Sequence, residues 1–217
     1  MSNPKDKKNP ALMIAKVGIM AALSYLAFTF IQIKIPAGPD FTSFHLGNTF
    51  CVLAALLFGG LPGGIAGAIG MTIGDLLDPV YITSAPKTFL LKLCIGLVAG
   101  LVAHRIGKIS LRDADGHTQK PRHVFLWTVL GSSAGMLFNV IAEPVVSYFY
   151  KRYLLGVDAN ASAILAKFQS LTTFVNAVLT VIIAVALYTA LRPALVRTGL
   201  FDYNVGIKSK KQKASKE

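Results

Sequence analysis

Residues 44–79 read FHLGNTFCVLAALLFGGLPGGIAGAIGMTIGDLLDP, and residues 46–74 of this stretch contain no charged side chain and no histidine. A continuous helix over the charge-free part would be roughly 43 Å long, whereas the hydrocarbon core of a bilayer is about 30 Å thick. The motif GGLPGG at residues 59–64 is a strong signal for a turn and a helix break. The stretch therefore predicts two short membrane helices joined as a hairpin. That hairpin places four polar side chains on one membrane face: His45, Asn48, Asp75 and Asp78.

The overall composition indicates an integral membrane protein. Of the 217 residues, 53% are hydrophobic and 15% are charged, whereas soluble domains carry about 25% charged residues. The first apolar segment, residues 11–33, is long enough to span a membrane, so we interpret it as a span and not as a cleavable signal. Cys51 and Cys94 lie inside apolar runs, and we expect small buried hydrophobic side chains there instead of a disulfide.

The apolar pattern predicts an all-α membrane bundle of about six transmembrane helices. The predicted spans are residues 11–33, 46–60, 62–77, 86–104, 123–150 and 164–191. Spans two and three are short, and tilted or partly re-entrant arrangements are open for them. We expect residues 1–204 to form a single membrane domain and residues 205–217 to form a basic, disordered tail.

The net charge of +12 is concentrated next to the predicted spans. Basic residues cluster before the first span, in the loop of residues 105–122 and in the tail. With six spans these three segments share one side, which the positive-inside rule assigns to the cytoplasm together with both termini. The distribution indicates contact with anionic lipid headgroups, as we also expect for Lys151 and Arg152, and argues against nucleic acid as a partner.

Small residues form a flat stripe along the first span. Its members follow i, i+4, i+7, i+11 spacing: Ala11, Ala15, Gly18 and Ala22. Such stripes allow a second helix backbone to approach closely. Two interpretations are open, namely packing inside this bundle and docking to another membrane protein.

Span three carries a second set of small residues, for which we expect packing within the bundle. The set comprises Gly60, Gly63, Gly64, Gly67, Ala68, Gly70 and Gly74. The segment GGIAGAIGMT superficially resembles a phosphate-binding loop, but Met71 stands where that motif requires lysine. We therefore predict no nucleotide site in this chain, so any ATP-driven transport needs a separate ATPase.

Polar residues at membrane depth are functional candidates, because ionisable groups inside spans are energetically expensive. The predicted topology gathers them in the outer half of the bundle, together with aromatic residues. The candidate binding residues are Phe44, His45, Asn48, Asp75, Lys87, Lys92, Asn139, Glu143 and Asn176. Because a channel needs polar groups along its full depth, this asymmetry predicts a cup that opens to the outside.

Structural roles are alternatives for several of these residues. Asp75 could form an internal ion pair with Lys87 or Lys92, and His45 could make only interfacial hydrogen bonds. Glu143 precedes Pro144, where it could cap a kinked helix or pair with a lysine. The four histidines are scattered and have no metal-ligand spacing, so we predict neither a metal nor another cofactor, and no catalytic residues.

The chain resembles the substrate-binding S components of energy-coupling factor (ECF) vitamin transporters, and among them the riboflavin-type branch. The resemblance rests on the run from His45 to Asp78, the segment APKTFLLK at residues 85–92 and the pair Gly96 and Gly100. It covers nearly the whole chain. The family's first-helix signature, Ala-xxx-Ala, has candidates in the first-span stripe of small residues described above.

The resemblance implies a multi-pass protein of the bacterial plasma membrane that is not an enzyme. It would capture a water-soluble vitamin or related compound, of the riboflavin, pyrimidine, pyridoxine or pantothenate type. The first external loop, about residues 35–44, would cover the ligand. Partners would be a transmembrane scaffold subunit and two ATPase subunits, with Ala11, Ala15, Gly18 and Ala22 as the docking residues.

Two alternative functions are open from the sequence. One is a stand-alone secondary transporter or channel for a small polar molecule. The other is a membrane enzyme acting on lipid, with Asp75 or His45 as its central residue. The three functions differ in whether the isolated chain binds a ligand tightly, transports it or converts it.

Overall fold

The structure is a computed structural model that describes residues 10–37, 40–113 and 116–205. Within these residues the chain forms six α-helices and one antiparallel β-hairpin. The elements are α1 (Pro10–Thr29), β1 (Gln32–Ala37), β2 (Asp40–His45), α2 (Gly47–Phe58), α3 (Gly60–Leu77), α4 (Ala85–Gly100), α5 (Pro121–Phe149) and α6 (Ala159–Arg197). A 3₁₀ turn (Ile82–Ser84) precedes α4, and π-helical turns follow α4 (Leu101–Ile106) and α5 (Tyr150–Leu154).

The helices confirm the predicted all-α membrane bundle. Five helical segments of the described chain have the length and apolar composition needed to cross a membrane. The exception is α2, whose 12 residues span roughly 18 Å. All residues of α2 except Phe50 are buried, so this helix lies inside the bundle and is shorter than the predicted span 46–60.

One residue joins α2 to α3. Gly59 has a φ angle of 103°, a conformation that strongly favours glycine, and its N–H donates to the Ala55 carbonyl. Pro62 is accommodated in the first turn of α3, where a missing N–H does not remove a helical hydrogen bond. The predicted break over residues 59–64 is therefore a single residue, and the two helices run back along each other as a hairpin.

The small residues of α3 make it the central helix of the bundle. A Cβ atom at Gly63 would lie 2.2 Å from the Ala55 nitrogen of α2, and one at Gly70 would lie 2.2 Å from the Ala21 carbonyl oxygen of α1. A Cβ at Gly96 of α4 would lie 2.2 Å from the Gly64 nitrogen. Three helices thus approach α3 more closely than any side chain at these glycines would permit.

The predicted first external loop is a β-hairpin. Gln32 pairs with His45, and Ala37 pairs with Asp40. The first span ends at Thr29 and not at residue 33, because the residues that follow pair as a strand. The hairpin lies across the ends of the helices, where the cavity described below is found.

The opposite end of the bundle is closed by residues 198–205, which fold back after α6. Lys16 of α1 pairs with Asp202 at 2.8 Å, and the Asn204 N–H donates to the Ser110 carbonyl at 2.8 Å. Phe201 and Val205 are buried. Val205 is the first residue of the predicted disordered tail; the rest of that tail, and residues 1–9, lie outside the described residues.

Candidate functional site

A cavity of about 80 Å³ lies between the β-hairpin and the helix ends nearest to it. The start of α2, the end of α3 and the start of α4 form one side. The last third of α5 and the first half of α6 form the other. The polar lining residues include Thr42, Ser43, His45, Asn48, Asp75, Tyr81, Lys87, Thr88, Lys92, Asn139, Glu143, Lys151, Gln169, Thr172, Thr173 and Asn176.

The structure brings eight of the nine predicted binding residues to this one cavity. They are His45, Asn48, Asp75, Lys87, Lys92, Asn139, Glu143 and Asn176. Phe44 is not part of the lining; it pairs with Ile33 across the hairpin. The neighbouring Phe41 and the more distant Phe28 supply aromatic walls instead.

A three-residue ion-pair network lies in the wall formed by α4 and α5. Lys87 Nζ lies 2.5 Å from Glu143 Oε1, and Lys92 Nζ lies 3.5 Å from Glu143 Oε2. Lys87 also donates to Ser147 Oγ at 3.3 Å. The two lysines thus pair with Glu143, not with Asp75 as one alternative had it. Because charges are costly to bury alone, removing Glu143 would take away the carboxylate that pairs with both buried lysines.

Several buried polar atoms of the lining have no hydrogen-bond partner among the described residues. They are His45 Nδ1, Asn48 Oδ1, Asp75 Oδ2, Asn139 Oδ1 and Gln169 Oε1. Native proteins satisfy more than about 90% of their buried polar groups, and each unsatisfied group costs roughly 1–3 kcal/mol. A concentration of such atoms around one cavity is the arrangement expected of a site for a polar ligand or for bound water.

The hairpin is fastened to α6 by hydrogen bonds. Thr42 and Thr172 share a hydroxyl–hydroxyl hydrogen bond of 2.7 Å. The Asn176 side chain accepts from the His45 N–H at 3.1 Å and donates to the Ser43 carbonyl at 3.0 Å. Asn176 therefore holds the hairpin over the cavity with both ends of its amide group.

A second attachment joins the hairpin to the end of α3. Lys34 of β1 lies 2.6 Å from Asp78 Oδ2, and its ammonium group lies 5.4 Å from the centre of the Tyr81 ring. These are charged contacts at the rim of the bundle, where solvent weakens them. The hairpin is thus held on two sides by polar contacts.

His45 is a neutral imidazole at the end of β2. Burial is the main reason that its pKa falls from 6.5 to about 3, and the charge of Lys92 lowers the pKa further, against an opposing effect of Glu143. Its ring packs edge-on against Phe28 with a centroid distance of 4.8 Å. At neutral pH the ring therefore offers a ligand one nitrogen donor or acceptor without a positive charge.

Lys151 is a cavity residue that the sequence interpretation missed. We expected a headgroup contact, but the residue is 6% exposed and lines the cavity. It lies in the π-helical turn Tyr150–Leu154, which changes the side-chain direction relative to a regular helix. The α6 residues Gln169, Thr172 and Thr173 also line the cavity, although they are not among the nine predicted binding residues. Their helical spacing to Asn176 is a signal for one common face.

The small-residue stripe of α1 faces away from the bundle. All four of its members are exposed: Ala11, Ala15, Gly18 and Ala22. A Cβ atom at Gly18 would meet no atom of the described residues within 4 Å. The buried residues of α1 lie on its other face and include Met20, Ala21 and Phe28. Of the two interpretations of the stripe, packing inside this bundle is not what the structure shows.

A membrane-embedded helical bundle with a polar cavity beneath a hairpin defines the class of multi-pass substrate-binding membrane proteins. A solved structure described as "Structure and mechanism of the S component of a bacterial ECF transporter" matches the chain with a TM-score of 0.56 and 18% identity. The match covers 86% of this chain and 99% of that chain. At this identity the likeness concerns the fold.

The family model of the ECF-type riboflavin transporter S component matches residues 8–193, and the chain belongs to this family. Comparison with curated protein sequences gives no match. The predicted resemblance is therefore confirmed. The chain is a multi-pass membrane protein, the substrate-binding component of an ECF transporter, and not an enzyme.

Proposed function

We propose that the cavity binds riboflavin or a compound with a closely similar polar ring. The observation that carries this proposal is the set of unpartnered polar atoms on Asn48, Asp75, Asn139 and Gln169 around one cavity. These unpartnered atoms are oxygens that need donors. A flavin ring system offers one N–H group between two carbonyl oxygens, and its sugar-alcohol chain offers several hydroxyl groups that can donate. Such a ligand can donate to and accept from amide and carboxylate groups at several points at once.

Two of the three lysines in the lining already pair with a carboxylate of the protein. The lining contains Lys87, Lys92 and Lys151 and two carboxylates, and Glu143 pairs with the first two lysines. A buried carboxylate needs a cation that is not committed elsewhere. Lys87 and Lys92 are therefore poor partners for the carboxylate of a pantothenate-type ligand.

Residues 35–44 of the hairpin act as a lid in this proposal. The cavity of about 80 Å³ is small beside the roughly 300–1,000 Å³ of typical ligand sites. The hairpin must therefore move to admit a vitamin. Its attachments to α6 and α3 are hydrogen bonds and a rim ion pair, which water can replace at low cost.

Transport requires partners in this proposal. The cavity would open outward, with both termini in the cytoplasm, and the exposed stripe of α1 would dock to a transmembrane scaffold subunit coupled to two ATPase subunits. Support for the docking surface comes from the open space next to Gly18 and from the exposure of all four stripe residues. Small residues on an exposed helix face permit close contact with a second helix.

Ligand titration of the full-length protein in detergent tests the binding site. Riboflavin fluorescence is the readout, and we expect Lys92→Ala and Asn139→Ala each to weaken binding by more than about tenfold, because each loses a contact to a buried polar group. Lys167→Ala and Asn160→Ala are matched controls at exposed α6 positions outside the cavity lining. Unchanged affinity in both cavity variants would refute this site, and mass spectrometry of any co-purifying compound checks the ligand.

Vesicle reconstitution separates this function from a stand-alone transporter. We expect vesicles that contain this chain alone to bind the vitamin without net flux, and flux to appear only with the scaffold and the ATPase subunits. The described cavity lies at one end of the bundle, whereas a channel needs polar groups along its full depth. Flux driven by an ion gradient through the chain alone would overturn the proposal.

A further inference from the structure

A groove of about 250 Å³ lies between the first turn of α5 and the last turns of α6. It is at the other end of the bundle from the vitamin cavity, because Val124 and Asn139 are separated by roughly 22 Å along α5. Its lining includes Phe125, Tyr188, Arg192 and Pro193, and none of its lining residues is acidic. The groove therefore combines apolar walls with basic and hydroxyl groups.

Tyr188 presents an unsatisfied hydroxyl to this groove. Its side chain is 1% exposed. The hydroxyl lies near the side chains of Arg192 and Thr128, yet it makes no hydrogen bond of normal length and angle. The Thr128 hydroxyl itself donates to the Val124 carbonyl at 2.7 Å. A buried phenol in this state lacks a partner among the described residues, and Tyr188 is one of the residues that line the groove.

Arg192 adds a second unsatisfied donor. Its Nε atom is buried and has no hydrogen-bond partner within residues 10–37, 40–113 and 116–205. The guanidinium group lies over the ring of Phe201 at 5.3 Å from the ring centre, which holds its plane in place. A planar guanidinium held in this way is suited to bind a phosphate or carboxylate oxygen.

The start of α5 contributes a favourable field at the same groove. The helix has 29 residues, and no side chain caps the first turn at Lys120. Pro121 lacks an N–H, but the following backbone N–H groups and the helix dipole favour an anion at this position. Lys120 and Arg122 add two positive charges beside it.

We propose that this groove binds the phosphodiester of an anionic phospholipid. Tyr188 and Arg192 donate to the phosphate oxygens, and an acyl chain lies along the apolar wall. The choice of a lipid over a free anion follows from Phe125, which is 53% exposed, and from Pro121 and Pro193, which are also exposed. Exposed apolar side chains therefore border the groove, and they suit an acyl chain and not a free anion.

Lipid binding to the full-length protein in an uncharged detergent tests the proposal. The probes are phosphatidylglycerol, phosphatidylcholine and inorganic phosphate, and the readouts are native mass spectrometry and the shift of the thermal unfolding midpoint. We expect phosphatidylglycerol to bind and stabilise, with affinity reduced about tenfold in Arg192→Gln and about fivefold in Tyr188→Phe. Arg197→Gln is the control, because Arg197 is exposed on the same helix and does not line the groove.

Tyr188→Phe removes only the hydroxyl, so it keeps the test valid if Arg192→Gln fails to fold. Equal effects of Arg192→Gln and Arg197→Gln would overturn the site, as would unchanged phosphatidylglycerol affinity in Tyr188→Phe. Equal binding of phosphatidylcholine and phosphatidylglycerol would overturn the preference for an anionic lipid. Full stabilisation by inorganic phosphate alone would overturn the lipid as occupant.

Discussion

Two helices of this protein carry small residues at helical spacing, and their surroundings differ completely. In α3 the glycines are covered by α1, α2 and α4, at distances that leave no room for a side chain. In α1 the stripe is exposed, and at Gly18 an added Cβ would meet nothing within 4 Å. The same spacing therefore permits close helix contact in both places, but only in α3 does this chain provide the contacting helix.

This difference shows that the spacing of small residues predicts how closely a second helix can approach. It does not predict whether that helix belongs to the same chain or to another one. For α3 the partners are encoded in the same sequence, and the contact is part of folding. For α1 the contact belongs to the assembly that we propose. Larger side chains in the α3 set should therefore impair folding, whereas larger side chains in the α1 stripe should impair assembly with the partner.

The largest effect is expected for Gly63→Leu in α3. A Cβ at this position would lie 2.2 Å from the Ala55 backbone nitrogen, so the α2–α3 hairpin must separate to accept it. We expect a loss of stability at or above the usual upper value of about 3 kcal/mol for overpacking, with little monodisperse protein on size-exclusion chromatography in detergent. Gly18→Leu is the control, and equal yields and unfolding midpoints for the two variants would remove the distinction between the stripes.

A smaller and more selective effect is expected for Gly18→Leu. Its side chain would enter open space in the isolated protein, so riboflavin affinity should stay within about twofold of the unmodified chain, a change of about 0.4 kcal/mol. Uptake by vesicles that also contain the scaffold and ATPase subunits should fall about tenfold, because a bulky residue keeps the helices apart. Ala190→Leu, at an exposed position of α6, should leave uptake unchanged; an equal loss there would show that any added bulk impairs transport.

The smallest effect is expected for the dependence of stability on pH. It extends the comparison to a buried titratable group, His45. Burial, followed by the charge of Lys92, lowers the pKa of His45 from 6.5 to about 3. As the pH falls below about 6.5, His45 therefore binds a proton in the unfolded chain but stays neutral in the folded protein. This group alone should reduce the free energy of unfolding by at most about 1.4 kcal/mol per pH unit in that range.

Thermal unfolding between pH 7.5 and 5.5 measures this contribution. The midpoint should fall less steeply with pH in His45→Gln than in the unmodified chain. His117→Gln is the control, since the His117 side chain is 79% exposed. A pH dependence that is the same in all three proteins would show that His45 does not contribute.

Much of the helical fold was predictable, because long apolar runs have few alternatives to membrane helices. The hairpin was not predicted, although the residues QIKI at 32–35 alternate between polar and apolar in the manner of a strand. These residues directly follow the apolar run of α1, and hydropathy alone merges the two. Strand pairing depends on contacts between segments, which a local pattern does not contain.

The cavity residues were predictable where they carry a charge or an amide inside a span. Glu143 and Lys92 stand out because burying them is costly. Thr172 does not stand out, since hydroxyl groups in a helix can also bond to their own backbone, as this one does to the Phe168 carbonyl. Lys151 was misinterpreted because it lies in a π-helical turn and lines the cavity. No sequence pattern predicts that turn. The pairing of both lysines with Glu143 required their positions in three dimensions.

The single-residue junction at Gly59 makes helix length a measure of cavity depth. α2 ends and α3 begins at that point, so the difference between 12 and 18 residues leaves α2 shorter by roughly 9 Å. Asn48, near the start of α2, lines the cavity together with residues of the hairpin. We expect one more turn in α2, about 5.4 Å, to move this end of the helix into the cavity and to reduce the space for a ligand.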